Sequence, residues 1–258
     1  MRARALLLTA VLTLTGCGGG GGPIDPPTPR EILVISVARS DRSVPVEQTL
    51  EGYLAFFFDR DREVLLPATA VVDRLESDGD TFSRELRTLI TPGVVPGNGY
   101  SEGINVDPGL RFRLRATVVR SAEDTIQVTS DLVTVPSDFV IDIPDEVAAG
   151  GTLTVTWSVT GAESINVSVD GGVYSEHVSA ALGAFTIPAS AFAGRPPGQE
   201  VMVHLTAYNT FYEPLGAAIS SLSDAEAAAE RFRGIDNVAG GVGVFGAAYT
   251  LGHSVTVR

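Results

Sequence analysis

The clearest structural pattern in the chain lies in Leu153-Thr154-Val155-Thr156-Trp157-Ser158-Val159-Thr160. Apolar side chains alternate with hydroxyl-bearing side chains along its whole length. Because successive side chains of a β-strand point to opposite faces, this period of two predicts a strand with one buried face and one solvated face. A one-sided strand of this kind is typical of an antiparallel sheet packed on a core.

Similar runs lie on both sides of this stretch. Downstream, the alternation recurs in residues 165–169, which end at the hairpin signal Asp170-Gly171-Gly172, and in residues 201–207. Upstream, strand-like runs cover residues 32–37, 50–58, 64–75 and 112–119, and in the last of these Arg111, Arg113 and Arg115 alternate with Phe112, Leu114 and Ala116. Clusters of Gly, Pro, Asn and Asp separate the runs, so we expect an antiparallel β-sandwich. The position of Trp157 resembles that of the core tryptophan in immunoglobulin-like domains.

The runs divide into two groups at Pro136, which predicts two tandem antiparallel β-sandwich domains of the immunoglobulin or fibronectin-like kind. The N-terminal sandwich would cover residues 31–136, and the C-terminal β-rich domain residues 137–258. One short helix is expected near the C-terminus, because Ser223 and Glu226 form a capping box before an alanine-rich segment that ends at Gly234. The fold class predicted is therefore all-β.

The N-terminus carries an export signal. Two arginines in Met1-Arg2-Ala3-Arg4 precede a ten-residue apolar stretch at positions 5–14, which is too short to span a bilayer but suits a signal peptide. The tetrad Leu14-Thr15-Gly16-Cys17 resembles the lipobox of bacterial lipoproteins. The resemblance implies a signal peptide at residues 1–16, cleavage before Cys17 and attachment of palmitate or similar acyl chains to that cysteine.

Residues 17–30 are expected to tether the folded part to the membrane. Five consecutive glycines at 18–22 give a flexible coil, and four prolines among residues 23–29 stiffen the segment that follows. Each buried methylene of the lipid contributes about 0.8 kcal/mol, so two or more acyl chains anchor stably. Gly18 is not the aspartate associated with inner-membrane retention, which favours the outer membrane, with the periplasmic or the surface-facing leaflet left open.

Composition limits the classes of partner and chemistry. Cys17 is the single cysteine, so neither a disulfide nor a cysteine-based metal site can form. All 18 basic residues are arginine against 31 acidic residues, a formal net charge of −13. This balance argues against nucleic acid and anionic lipid headgroups as partners. The absence of lysine excludes P-loops, Schiff-base chemistry and Ser-Lys hydrolases.

Two sequence patterns match catalytic motifs without their required context. Gly99-Tyr100-Ser101-Glu102-Gly103 spells the nucleophile elbow G-x-S-x-G, but that motif needs a strand before it and a helix after it, so a loop serine is favoured. The pattern G-x-G-x-x-G at residues 241–246 would need a βαβ unit and a later acidic residue, and too little chain follows it. We therefore predict no enzyme activity and no cofactor.

Metal sites are weak candidates. Asp59, Asp61 and Glu63 would share one side of an extended backbone, as in a conceivable calcium site, but arginines alternate with them and a solvated hairpin tip is favoured. The three histidines, His177, His204 and His253, show no zinc-binding spacing, and His204 lies in the outward register of its strand, which predicts a surface residue.

The C-terminal segment carries a family resemblance. The motif Asn237-Val238-Ala239-Gly240-Gly241-Val242-Gly243-Val244-Phe245-Gly246-Ala247, preceded by Tyr208-Asn209-Thr210-Phe211-Tyr212, resembles the closing motif of an uncharacterised family of outer-membrane lipoproteins that often accompany TonB-dependent receptors. The resemblance implies an outer-membrane receptor or another envelope protein as a partner, and it implies no activity. Physically, the glycines predict a close crossing of backbones, with Phe245 in a core.

The function predicted from these observations is that of a non-catalytic, membrane-anchored lipoprotein, a binding or assembly accessory at the outer membrane. One alternative is a surface adhesin or glycan-binding module, which an aromatic platform at Tyr208, Phe211 and Tyr212 would favour. A second alternative, from a different class, is a hydrolase that uses Ser101 or a divalent metal.

Overall fold

The structure is a computed structural model of the chain, and it describes residues 32–43, 50–59, 69–75, 81–85, 87–89, 99–102, 106–119, 125–170, 173–210 and 237–258. Regular structure in these ranges is β-strand apart from two short 3₁₀ helices, Ala180–Leu182 and Ala189–Phe192. The all-β prediction is therefore confirmed. The helix predicted around residues 224–233 lies outside the described residues.

The strands, in chain order, are β1 (Ile32–Asp41), β2 (Leu50–Asp59), β3 (Thr69–Leu75), β4 (Thr81–Glu85), β5 (Arg87–Leu89), β6 (Gly99–Glu102), β7 (Arg111–Val119), β8 (Thr125–Ser130), β9 (Val133–Thr134), β10 (Ser137–Asp142), β11 (Glu146–Val147), β12 (Leu153–Thr160), β13 (Ser164–Val169), β14 (Tyr174–Ser179), β15 (Ala184–Ile187), β16 (Glu200–Asn209), β17 (Val238–Ala239) and β18 (Val242–Val257).

These strands form three sheets. The large sheet has the order β14-β13-β16-β18-β1-β2-β6-β5, with β11 paired to β18 as its ninth strand. The six-stranded sheet has the order β17-β8-β7-β3-β4, with β9 paired to β7, and the three-stranded sheet has the order β10-β12-β15. Buried side chains from all three sheets belong to one hydrophobic cluster, so the sheets share a core.

The alternation that predicted the strands also predicts which face is buried. In β12, Leu153, Val155 and Trp157 are buried while the intervening hydroxyl-bearing residues are exposed. The indole Nε1 of Trp157 donates a hydrogen bond of 2.9 Å to the carbonyl of Ala180, which satisfies its polar group inside the core. Trp157 is thus a core residue, as its position in the sequence indicates.

Strand β18 joins the early and late parts of the chain. It pairs antiparallel with β16, and it pairs parallel with β1 from Leu33↔Val242 to Asp41↔Thr250. It also pairs parallel with β11, so the large sheet is mixed where we expected antiparallel pairing throughout. The boundary predicted at residue 136 does not separate sheets, and residues Glu31–Arg258 form one compact unit. The physical reason is that alternation fixes the face of a strand but not its hydrogen-bonding partner.

The glycine-rich segment before and inside β18 is a packing element. Gly240 has a φ of +81°, and a Cβ there would lie 1.9 Å from the carbonyl oxygen of Gln127 in β8. Phe245 is fully buried, and the side-chain amide of Asn237 exchanges two hydrogen bonds of 2.8 Å with its backbone. The G-x-G-x-x-G pattern at residues 241–246 therefore lies largely within β18. Close packing accounts for Gly240, just before the pattern, and for the buried Phe245 inside it.

Candidate functional site

Several predicted site residues lie outside the part of the chain that the structure describes, namely Cys17, Asp61, Glu63, Phe211 and Tyr212. Asp59 is the last residue of β2. Among the described residues, no group of three or more His, Cys, Asp or Glu side chains is arranged to hold a metal ion. In the same residues, no helix is both long enough and apolar enough to cross a bilayer.

Ser101 lies in β6, where its Cα pairs with Leu54 of β2 and Arg87 of β5. The sequence favoured a loop for this serine, and that interpretation is wrong, because the residue is in the interior of a sheet. The nucleophile elbow requires a sharp strand-to-helix turn that exposes the serine. At Ser101 the backbone is instead extended and paired on both sides.

The histidines occupy separate places in the large sheet. His253 in β18 lies 2.8 Å from the carboxylate of Asp145. His204 in β16 is half-buried, and it pairs with Gly252 of β18. Because Gly252 has no side chain, Ser43 packs close to it: a Cβ at Gly252 would lie 2.7 Å from Cβ of Ser43 and 3.2 Å from Nδ1 of His204. The prediction of a plain surface residue at 204 is therefore wrong. Burial lowers the pKa of His204, although the nearby carboxylate of Asp41 opposes this shift.

A row of polar side chains crosses the large sheet on the face opposite its apolar positions. The register aligns five residues, one from each of five neighbouring strands: His177, Asn166, Thr206, Thr250 and Asp41. The last four are at most 9% exposed. The hydroxyls of Thr206 and Thr250 are hydrogen-bonded at 2.9 Å, and Asn166 accepts a hydrogen bond of 2.8 Å from Ser175. We call these five residues the buried polar row.

Asp41 is the last residue of the buried polar row, and both of its carboxylate oxygens accept hydrogen bonds from neighbouring residues. One carboxylate oxygen accepts hydrogen bonds from the hydroxyl and the backbone N–H of Ser43, at 2.6 and 3.1 Å, and the other accepts one from Arg39 at 2.6 Å. Burial by itself would raise the pKa of Asp41, but the hydrogen bonds from Ser43 and the charge of Arg39 lower it below its ordinary value. This carboxylate therefore stabilises the strand end and is not available as a proton acceptor.

Tyr208 lies next to the same row, with its ring centroid 5.7 Å from that of His177. Burial raises the pKa of Tyr208 to about 12, and the side chain is only 6% exposed. It is therefore not part of an exposed aromatic platform, which corrects the expectation that Tyr208 could bind a glycan by stacking. The buried polar row could not be predicted from the sequence, because the polar side chains that alternate with apolar ones in a one-sided strand ordinarily face solvent.

The six-stranded sheet carries an exposed, positively charged surface, in contrast to the buried polar row of the large sheet. Arg111, Arg113 and Arg115 project from β7 on the face opposite its buried apolar residues, and we call these three residues the arginine row. The carboxylate of Asp73 in β3 lies beneath it and is fully buried. Arg113 donates to Asp73 at 3.3 and 3.0 Å and Arg115 at 2.6 and 2.7 Å, and the hydroxyl of Ser83 in β4 adds a bond of 2.8 Å.

Hydrogen bonding within this cluster favours the charged forms of Asp73 and Arg115. Burial would raise the pKa of Asp73, but the hydrogen bonds from Arg115, Ser83 and Arg113 lower it below its ordinary value. The hydrogen bond to Asp73 also raises the pKa of Arg115. The side chains of Arg113 and Arg115 remain 36% and 47% exposed, and within the described residues Arg111 is exposed and makes no ion pair. Arg113 and Arg115 thus share the carboxylate of Asp73, and with Arg111 beside them the three guanidinium groups form a locally basic strip.

The shared core and the three sheets define an all-β protein of the sandwich type. No protein-family model matches the chain, and no curated protein matches it significantly. Among solved structures, a 1.5-MDa bacterial ice-binding adhesin, studied for host cell surface retention, matches at 12% identity and a TM-score of 0.26, over 90% of this chain and 66% of that one. A tandem-repeat extending region of a large adhesion protein matches at 10% identity and a TM-score of 0.24, over 87% and 50% of the two chains.

The FN1–FN3 domains of chicken CNTN1 match at 13% identity and a TM-score of 0.27, over 72% of this chain and 62% of that one. The chain spans between half and two thirds of the length of these three structures. TM-scores this low assign no function to the chain.

Proposed function

We propose that the chain is a lipid-anchored, non-catalytic binding protein of the bacterial outer membrane, an accessory to a receptor or another envelope protein. The observation that carries this proposal is the arginine row, an exposed basic strip on a chain with a net charge of −13, in which Asp73 holds Arg113 and Arg115. A charged surface held in place by a buried carboxylate is suited to recognition, because little side-chain freedom is lost on binding.

The other polar clusters support a binding role over a catalytic one. The carboxylate of Asp41 is occupied by hydrogen bonds within the fold, and Tyr208 is buried with a pKa of about 12. Ser101 lies within a paired strand. A general base needs an accessible group with a pKa near the working pH, and neither Asp41, with its lowered pKa, nor the buried Tyr208 fits that requirement.

The lipobox-like tetrad that ends at Cys17 supports the anchor, and a substitution tests it. Cys17→Ser should abolish incorporation of a labelled fatty acid and leave uncleaved precursor, whereas Gly20→Ser in the tether should behave as wild type. Membrane fractionation with mass spectrometry of the mature N-terminus measures both. A Cys17→Ser protein that is still lipidated and cleaved before residue 17 would refute the anchoring part of the proposal.

The binding part is tested in the native membrane. The lipoprotein is crosslinked in intact cells, purified, and compared with a variant that carries Arg111→Gln. We expect a defined envelope protein to be crosslinked to the wild type and to be reduced in the variant. Equal recovery of every crosslinked species from both proteins would show that the arginine row is not the binding surface.

A second candidate, a surface adhesin or glycan-binding module, is favoured by the exposed face of the three-stranded sheet. Thr154, Thr156 and Ser158 are exposed along β12, and the hydroxyl of Thr154 is 3.1 Å from that of Thr186 in β15. This face offers hydroxyl groups for hydrogen bonding, beside the exposed carboxylate of Asp142 opposite Thr156. Glycan-array binding by the wild type, lost on Thr156→Arg and retained on Arg111→Gln, would favour this candidate.

A further inference from the structure

We propose that the arginine row binds an extended acidic peptide segment of a partner protein, one with carboxylates at alternate positions. The inference rests on the proposed binding function and names the chemistry of the partner. It does not depend on the lipid anchor, so the two can fail independently.

The spacing of the row argues for an extended peptide. Residues two apart on one strand are separated by about 6.4–6.8 Å, since the rise per residue is about 3.2–3.4 Å. The Cα atoms of Arg111, Arg113 and Arg115 therefore follow one another at equal intervals along β7, while the guanidinium groups of Arg113 and Arg115 both reach Asp73. A peptide in the extended conformation has the same repeat, so acidic residues at every second position would place one carboxylate opposite each arginine. Guanidinium and carboxylate groups pair with favourable two-point geometry.

The donors that remain free fit such a ligand. Arg113 and Arg115 each use Nε and Nη2 to bind Asp73, which leaves Nη1 of both residues outside this interaction. Arg111 makes no ion pair within the described part of the chain, so its whole guanidinium group is available. Asp73 is fully buried, so it orients two of the arginines while the ligand approaches from the solvent side.

Charge decides between a peptide and an anionic membrane or polymer surface. With a net charge of −13, the protein as a whole repels a broad anionic surface. Electrostatic interactions between exposed charges are screened over about 8 Å at physiological ionic strength, so the row attracts carboxylates that come into contact with it. A single extended segment can make that contact without bringing further negative charge against the acidic surface.

The experiment uses the mature lipoprotein in detergent and fluorescence anisotropy with three labelled peptides of equal length. One alternates Glu and Thr, one contains the same residues with all Glu contiguous, and one replaces Glu by Gln. We expect the alternating peptide to bind most tightly, and raised salt to weaken its binding. Arg111→Gln should weaken binding about fivefold, the value of one exposed charge pair. The control Arg258→Gln, at the exposed C-terminus, should bind as wild type.

Arg111→Gln is preferred to changes at Arg113 or Arg115 because it leaves the bonds to Asp73 intact, and unchanged thermal unfolding of the variant checks this. Equal affinity of the variant and the wild type for the alternating peptide would overturn the proposal. So would preferential binding to phosphatidylglycerol vesicles or to polygalacturonate over the alternating peptide, since these outcomes would assign the row to a lipid surface or an acidic glycan.

Discussion

Replacement of Gly240 by alanine tests whether the glycine-rich segment is a packing element. The substitution has two separable costs. A φ of +81° disfavours any residue with a Cβ by about 1–2 kcal/mol. In addition, the new Cβ would lie 1.9 Å from the carbonyl oxygen of Gln127, and real Cβ atoms essentially never come closer than 3.0 Å to such an atom. The oxygen would therefore have to move away by about 1.1 Å (3.0 minus 1.9). Such overpacking costs about 1–3 kcal/mol.

Gly161 provides the matched control. Its φ is +74°, and a Cβ there would meet no atom within 4 Å, so Gly161→Ala carries the conformational cost without the clash. Thermal unfolding of residues 31–258 should show both variants melting below wild type. The clash costs about 1–3 kcal/mol, and 1 kcal/mol corresponds to about 2–4 °C for a chain of this size. Gly240→Ala should therefore melt about 2–12 °C below Gly161→Ala. Equal melting temperatures would refute the close approach of β8 to residue 240.

Two further changes probe stability. Asp73→Asn should destabilise the protein by about 1–2 kcal/mol near neutral pH, because it removes charged hydrogen bonds to two arginines that stay partly solvated. The pKa of Asp73 is lowered in the folded protein, so this stabilisation is complete above the unfolded-state pKa and is lost as the pH falls through the folded-state pKa. In urea unfolding the gap between wild type and variant should therefore shrink under acidic conditions, and a gap that grows with acidity would contradict the assignment. Phe245→Ala should lower the free energy of unfolding by about 3–5 kcal/mol, as for other buried phenylalanines. Near-wild-type melting of this variant would exclude Phe245 from the core. Added NAD should leave the melting temperature of the wild type unchanged.

Strand character and the identity of the buried face could be predicted from the sequence, because both depend on local geometry. In β12 and β7 the apolar residues at every second position are the buried ones, as the period of two requires. The importance of the glycine-rich segment for packing could be predicted for the same reason, since a glycine requirement reflects the conformation of its own backbone. Export and lipidation also rest on a local pattern around Cys17, and they remain predictions.

The candidate site could be predicted only in part. The alternation of Arg111, Arg113 and Arg115 with apolar residues placed the arginines together on one face of a strand. Nothing in the order of residues indicated that Asp73, some forty positions earlier, would lie buried beneath them. A lone Asp in a strand-like run is ordinarily a solvated residue.

Local features therefore followed from the order of residues: the strands, their apolar faces and the composition that limits chemistry. The pairing of strands that are distant in the sequence was decided only by the tertiary fold. It joined β1 to β18 in parallel, against the expected division at residue 136, and it brought Asp41 and Thr250 into one buried polar row. The physical reason is that backbone N–H and C=O groups are the same in every strand, so any strand edge can satisfy any other. The choice among partners depends on how the shared core is packed, which no local pattern of residues records.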